Sequence, residues 1–202
     1  FGEKLAGGKS EAEIIERKLV QYIDAHDNGV ITALHKFDGV SEYTLGDFFY
    51  SFIESQNPES LNNVFMQVVR IAKDLLIREI NRAKKLIGNQ DKILAYYNES
   101  PDKRLVVMTE NLMGWKEILK EKPEVLYVIH PRPDGKWTLG TVEKERYVSR
   151  KPLPASWGGL VDGELVKVTG VPDALFCHRA LFMASAKTKE GAVKLAELAL
   201  NS

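Results

Sequence analysis

Cysteine is nearly absent: Cys177 is the single one in 202 residues. That excludes a disulfide framework and any multi-cysteine zinc or iron–sulfur centre, and it fits a reducing compartment, so the cytoplasm is the expected location. There is no excess charge of either sign, since Lys+Arg and Asp+Glu both number 28. Nothing therefore draws the whole molecule to nucleic acid, acidic lipid or polycations, and any anion site must be a local patch. No run of about 18 apolar residues occurs, so no membrane span is expected. The opening FGEKLAGGKS lacks an apolar signal-peptide core and an initiator Met, as a processed chain or a fragment would. Also missing are GxxxxGKS/T, HExxH, GxSxG and GxGxxG, which leaves ATPase, zincin, serine hydrolase and dinucleotide readings without support.

What is present is hydrophobic periodicity. Ser10 to Glu13 reads as a capping box, and Ile15, Leu19, Tyr22, Ile23 and His26 recur at helical spacing. The pattern predicts a helix over 11–27, stopped by Asn28-Gly29. Gly39, Gly46 and Asn57-Pro58 punctuate an irregular stretch crowded with Phe37, Tyr43, Phe48, Phe49, Tyr50 and Phe52, with a short helix expected over 45–54. From Ser60 the spacing of Leu61, Phe65, Val68, Val69, Ala72, Leu75, Leu76, Ile80, Ala83, Leu86 and Ile87 predicts a long helix ending at Gly88-Asn89. Beyond residue 100 the period shortens. Strands are expected over 104–109, 125–129, 136–142, 175–178 and 182–185, with helices at 115–119, at 162–168 and after Thr188. The expectation is an α/β chain in three parts: 1–55, a connecting helix over 56–92, and a small mixed-sheet domain over 93–202.

Three constellations carry chemistry. Asp24-Ala-His26-Asp27-Asn28-Gly29 gathers two carboxylates and an imidazole at one helix end, ligand types suited to Mn2+ or Mg2+. On a helical wheel His26 falls on the apolar face and Asp27 on its flank, and the competing reading is a core histidine between polar end residues. Cys177 and His178 are adjacent in a strand, so they point to opposite faces and do not form a nucleophile–base pair. His178, with Arg179, Lys187 and Lys189 nearby and a helix N-terminus after Thr188, suggests an anion site. The alternative is a solvated basic surface. Finally, Lys144 to Leu160 combines Arg146, Tyr147, Arg150, Lys151, two prolines, Trp157 and Gly158-Gly159, a composition suited to phosphate and bases. A loop anchored on the core by Trp157 is the other possibility.

In order, IDAHDNGV at 23–30, the Trp115-Lys-Glu box, PDGKW at 133–137, SRKPLPASWGGL at 149–160, ELVKVTGVPDALFCH at 164–178 and KTKEGAVKLA at 187–196 resemble the Myg-type family. Its members were once described as uncharacterised metal-dependent hydrolases and are placed in the DHH phosphoesterase superfamily, which includes RNA exonucleases. The resemblance implies that residues 1–55 are the tail of a metal-binding domain and residues 93–202 the substrate-binding domain. It implies that Asp24 and Asp27 belong to a two-metal centre for Mn2+ or Mg2+, completed by upstream His-x-Asp-Asp and Asp-His-His segments that this chain lacks. It further implies that Arg150, His178 and Lys187 hold the phosphate or nucleotide end, converging on one pocket that faces Asp27. The chain departs from the family pattern at His26, where an apolar residue is usual. It also has Leu181-Phe-Met-Ala-Ser-Ala186 in place of a Gly-Phe-Ile-Gly-Gly-Asn-like turn.

The implied function is that of part of a metal-dependent phosphoesterase acting on RNA or nucleotide phosphodiesters as an exonuclease, inactive as this chain alone. A non-catalytic nucleotide or nucleic-acid binding protein and a degenerate relative are the alternatives.

Overall fold

Apolar residues at three- and four-residue spacing make the first half of the chain helical. The computed structural model describes residues 2–30, 43–53, 57–145 and 147–202; Phe37, Gly39 and Arg146, noted above, lie outside the described residues. Helix α1 spans Gly2–Ala6 and α2 spans Lys9–Ile15. A wide π-type turn at Glu16–Val20 then leads into α3 at Gln21–Asp27. The expected Ser10 capping box does not form, because the helix begins earlier. The Ala12 N–H already bonds the Gly8 carbonyl at 3.2 Å, which places Ser10 inside the first turn. Asn28 and Gly29 do end α3, with Gly29 at φ 72°. The short helix expected among the aromatics is α4, Leu45–Tyr50. Thr44 and Asp47 cap it reciprocally: the Asp47 N–H donates to Thr44 Oγ1 at 3.1 Å and the Thr44 N–H to Asp47 Oδ2 at 2.8 Å.

Helix α5 runs over Pro58–Glu99, 42 residues, and so does not stop at Gly88-Asn89. The apolar pattern continues past the glycine through Ile93, which is wholly buried, with Tyr96 and Tyr97 packed against the same core. Asn89 is not a terminator; its amide donates to the Met113 carbonyl at 3.1 Å. The true end is closed by Lys103. Its ammonium donates to the carbonyls of Tyr97, Asn98 and Ser100 at 2.9, 2.7 and 2.9 Å.

The chain divides into two compact units, Phe1–Ile87 and Gly88–Ser202, with the division inside α5. The first has a small core of Ala6, Ile15 and Ala83, flanked by Ala12, Leu19, Leu76 and Ile80. The second contains β1 (Leu105–Val107), α6 (Trp115–Leu119), β2 (Tyr127–Pro131), β3 (Trp137–Thr141), β4 (Glu143–Glu145) and β5 (Val148–Ser149). It continues with α7 (Asp162–Thr169), β6 (Ala174–Cys177), β7 (Met183–Ala186) and α8 (Lys189–Leu200). Five strands form one mixed sheet in the order β1-β2-β3-β7-β6, with β1 parallel to β2 and the other neighbours antiparallel. The expected α/β fold is what forms.

Period-two alternation sorts the strands onto two cores. Tyr127, Ile129, Leu139, Ala184, Ala186 and Cys177 join Leu165 of α7 and Leu195, Ala196 and Ala199 of α8. Val106 and Val128 face the other way, onto Ile93, Met108, Trp115 and Leu119. No helix among the described residues is long and apolar enough to cross a membrane.

Gly88 decides between a continuous and an interrupted α5. A Cβ added there would meet nothing within 4 Å, and the backbone is helical. Gly88→Ala should therefore stabilise the protein by about 0.5–1 kcal/mol in chemical denaturation, because alanine loses less backbone entropy in a helix interior. Destabilisation would mean that the glycine is a left-handed helix end after all.

Candidate functional site

The segment after β5 is the most basic and proline-rich stretch of the second unit, and its cations are already engaged. The Arg150 N–H donates to the Val142 carbonyl at 2.8 Å. Its guanidinium donates through Nη1 to the carbonyls of Lys122 and Val125, the latter at 2.9 Å, and through Nη2 to that of Lys120. Those carbonyls close α6 and the turn into β2. The neighbouring Lys151 ammonium donates to the carbonyls of Leu200, the last residue of α8, and of Ser202 just after it, at 2.9 and 3.1 Å. Both cations thus serve helix C-termini, where the backbone presents unpaired acceptors and negative partial charge.

The N-terminus of α8 is likewise occupied from within. Thr188 Oγ1 accepts from the Gly191 N–H at 3.0 Å, as its cap role requires. The Asp173 carboxylate accepts from the Thr188 N–H at 2.9 Å and from its hydroxyl at 2.5 Å. A Cβ at position 191 would displace that carboxylate, so the glycine leaves room for the Asp173 contact. The expected phosphate position therefore holds the chain's own anion. Asp173 lies fourteen residues before Lys187, and although it stands within the ELVKVTGVPDALFCH segment, no spacing rule marks it as the partner of a helix start.

Arg150, His178 and Lys187 do not converge. His178 follows β6, and its N–H bonds the Met183 carbonyl at 2.8 Å at the start of β7. Lys187 follows the far end of β7, where its N–H bonds the Asp173 carbonyl at 2.9 Å. The two sit at opposite ends of one hairpin, roughly 13 Å apart at about 3.4 Å per residue. Arg150 lies at the same sheet end as His178, but its guanidinium binds before β2, while His178 follows β6, with β3 and β7 between them. The shared pocket expected from the sequence is replaced by three separate settings.

One of these is the tight turn between β6 and β7. The turn at 178–182 is held by its own bonds and by two neighbours: Leu153 N–H to the Leu181 carbonyl at 2.9 Å and Thr141 N–H to the Phe182 carbonyl at 3.0 Å. His178 Nδ1 accepts from the Ala180 N–H at 3.0 Å, which leaves Nε2 as the protonated donor of the neutral ring. The Phe182 ring centroid lies 4.2 Å from that of His178 and the Phe176 centroid 6.1 Å from it. Gly158 abuts the Arg179 carbonyl and the Leu181 side chain, and the exposed Arg179 runs over Gly159. What approaches the two glycines is this turn of the same chain. Cys177 is wholly buried and burial pushes its thiol up to about 11, so it is a packed apolar group and not a nucleophile.

In the first unit Asp24, His26 and Asp27 are all exposed, and His26 is not the core residue that its wheel position suggests. Its ring lies 6.4 Å from that of Tyr22. The Asn28 amide donates to the Asp24 carbonyl at 2.8 Å and to its carboxylate at 3.3 Å. The Asp27 carboxylate has no hydrogen bond or ion pair among the described residues. No group of three or more His, Cys, Asp or Glu side chains able to hold a metal occurs among the described residues. Asp24 and Asp27 are at most part of a ligand set. An apolar cavity of about 480 Å³ lies between Leu5, Ala6, Ile15, Leu76 and Ile80, and neither carboxylate lines it.

A family model labelled MYG1_exonuc, described as an uncharacterised protein family (UPF0160), matches residues 10–200. The chain belongs to this family. It is 24% identical over 233 residues to the human protein named MYG1 exonuclease, covering 99% of this chain and 61% of that protein. It is 27% identical over 212 residues to a Schizosaccharomyces pombe MYG1 protein, covering 94% and 63%. It is 26% identical over 199 residues to the MYG1 protein of Chlamydia muridarum, covering 94% and 65%. The chain thus spans less than two-thirds of the length of these relatives.

The occupied cations and a half-buried histidine generate two stability predictions. Arg150→Ala should destabilise the protein by about 1–3 kcal/mol in urea or thermal unfolding, since it strands carbonyls at the end of α6. Arg150→Lys should recover only part of this, because one ammonium cannot reproduce the guanidinium fork. Burial, assisted by Arg132 and Lys116, lowers the pKa of His130 from its ordinary 6.5 although its bond to the Pro131 carbonyl opposes this. The native state therefore favours the neutral ring. The corresponding stability is present above about pH 6.5 and is lost as pH falls through the lowered native value. His130→Gln should flatten that part of a stability–pH curve; an unchanged curve would show that the ring titrates as in water.

Proposed function

We propose that this chain is part of a metal-dependent phosphoesterase that acts on RNA or nucleotide phosphodiesters as an exonuclease. The observation that carries this reading is the family match over residues 10–200 together with a human relative named an exonuclease. The DHH superfamily placement and a cytoplasmic location belong to the same proposal, the latter resting on the single buried cysteine.

In this reading His178 and Arg179 hold the phosphate of the substrate end, through the Nε2–H and the guanidinium respectively. Arg150 acts as a positioning residue that fixes the approach to β2, and Lys187 remains a separate cation beyond β7. Asp24 and Asp27 contribute carboxylates towards Mn2+ or Mg2+. When bound, such ions supply Lewis-acid stabilisation and an activated water. The described residues do not complete a site, so their own part is limited to those two carboxylates.

The natural reading frame containing these residues, purified and given end-labelled RNA with Mn2+, should shorten the RNA stepwise. Asp27→Asn should reduce the rate by about 100-fold or more. RNA binding without shortening would favour the non-catalytic alternative. The 202-residue chain alone should show no turnover with Mn2+ above background, and a rate matching that of the longer protein would show that the catalytic groups are misplaced here.

A further inference from the structure

The rings around His178 are arranged for more than phosphate contact. Phe176 and His178 are two residues apart at the end of β6 and so lie on one face of the sheet, while the tight turn brings Phe182 against His178. The His178 and Phe182 centroids are 4.2 Å apart at 40°, and Phe176 meets His178 edge-on at 86°. This cluster is not submerged. Phe182 is 39% exposed, and Phe176 and His178 are half-buried. Arg179, the next residue, is exposed and has no hydrogen bond or ion pair among the described residues. By contrast Arg150 and Lys151 are committed to carbonyls.

Partly exposed aromatic faces beside an unpaired guanidinium suit a group that is flat and apolar on one side and anionic on the other. We infer that Phe182, His178 and Phe176 form a stacking platform for an unpaired nucleobase, with Arg179 receiving the phosphate of the same nucleotide. Stacking of this kind tolerates any base, because every base has a π-face, and specificity for single strands arises because paired bases cannot present one. The inference rests on the RNA reading above and adds to it a base-contact surface.

The test uses the 202-residue chain with a single-stranded RNA hexamer carrying 2-aminopurine, and a hexamer of the same length with abasic sites in place of its bases. The wild type should quench 2-aminopurine and bind the abasic hexamer less tightly. Phe182→Leu, which keeps the apolar contact but removes the π-face, should weaken binding of the base-containing hexamer by about fivefold or more and leave the abasic hexamer unaffected. Phe182→Tyr should restore it, and Arg179→Ala should weaken both hexamers alike. Circular dichroism and thermal melts confirm that each variant is folded. Equal wild-type affinity for the two hexamers, or unchanged binding in folded Phe182→Leu, overturns the platform while leaving the RNA reading standing. Failure of the wild type to bind either hexamer overturns the RNA reading and the platform with it.

Discussion

Every helix end leaves backbone groups without intrahelical partners, and the way this chain satisfies them determines which of its charges remain for function. Lys103 closes α5, Arg150 closes α6, and Lys151 reaches a carbonyl at the end of α8. At the opposite pole Asp173 and Thr188 together receive the start of α8. Each of these side chains offers donors or acceptors that resemble ligand-binding groups in composition. Each is engaged by the fold. A cation that donates to two or three carbonyls cannot be turned towards phosphate without stranding them. The engaged pairs also tie sequence-distant segments together: residues 150 and 122 at one place, 151 and 200 at another, 173 and 188 at a third.

This is why the fold was more legible than the site. Periodicity is a property of single elements, and it located α4, α6, α7, the β2–β3 hairpin and the Thr188 cap from local pattern alone. It failed where a tertiary contact overrides a local signal. Gly88-Asn89 has the chemistry of a helix stop, yet burial of Ile93 five residues later carries α5 onward. Ser10 has the chemistry of a cap, yet Gly8 takes that position. His26 has the position of a core residue on a wheel and is exposed. The site depends almost wholly on such non-local pairings. Nothing in Ser-Arg-Lys-Pro distinguishes a guanidinium destined for phosphate from one destined for a helix end, and no spacing rule pairs Asp173 with Gly191. The contact of Phe176 and His178 was accessible in principle from strand alternation. That of Phe182 required the geometry of the turn.

The outer edge of β6 shows how the most distinctive stretch is used. As the last strand of the sheet, β6 would expose a row of unpaired backbone groups, a template for pairing with another chain. Residues 159–161 cover it: Gly159 N–H bonds the Cys177 carbonyl and Cys177 N–H bonds the Leu160 carbonyl, each at 3.0 Å, and Val161 pairs with Phe176. Trp157, 3% exposed in the core beneath α7, anchors this cover. The Trp-Gly-Gly-Leu sequence therefore protects an edge.

The departures from the Myg-type pattern bear on that same turn, and the structure limits their effect. Of the three glycines expected by resemblance, two correspond to Ala184 and Ser185, which are buried in β7 opposite Leu139 and Thr138. Small side chains fill those places inside the sheet. The third corresponds to Leu181, which keeps φ 61°, the left-handed conformation that a glycine adopts without strain. A leucine there stores strain of order 1–3 kcal/mol, and such a conformation persists only where the surroundings over-determine it. They do so here, since the Leu181 carbonyl accepts from Leu153, its N–H bonds the His178 carbonyl at 2.8 Å, and its side chain packs on Gly158. The turn thus keeps a glycine-type backbone without the glycine, and the backbone path that places His178 against Phe182 survives the substitution.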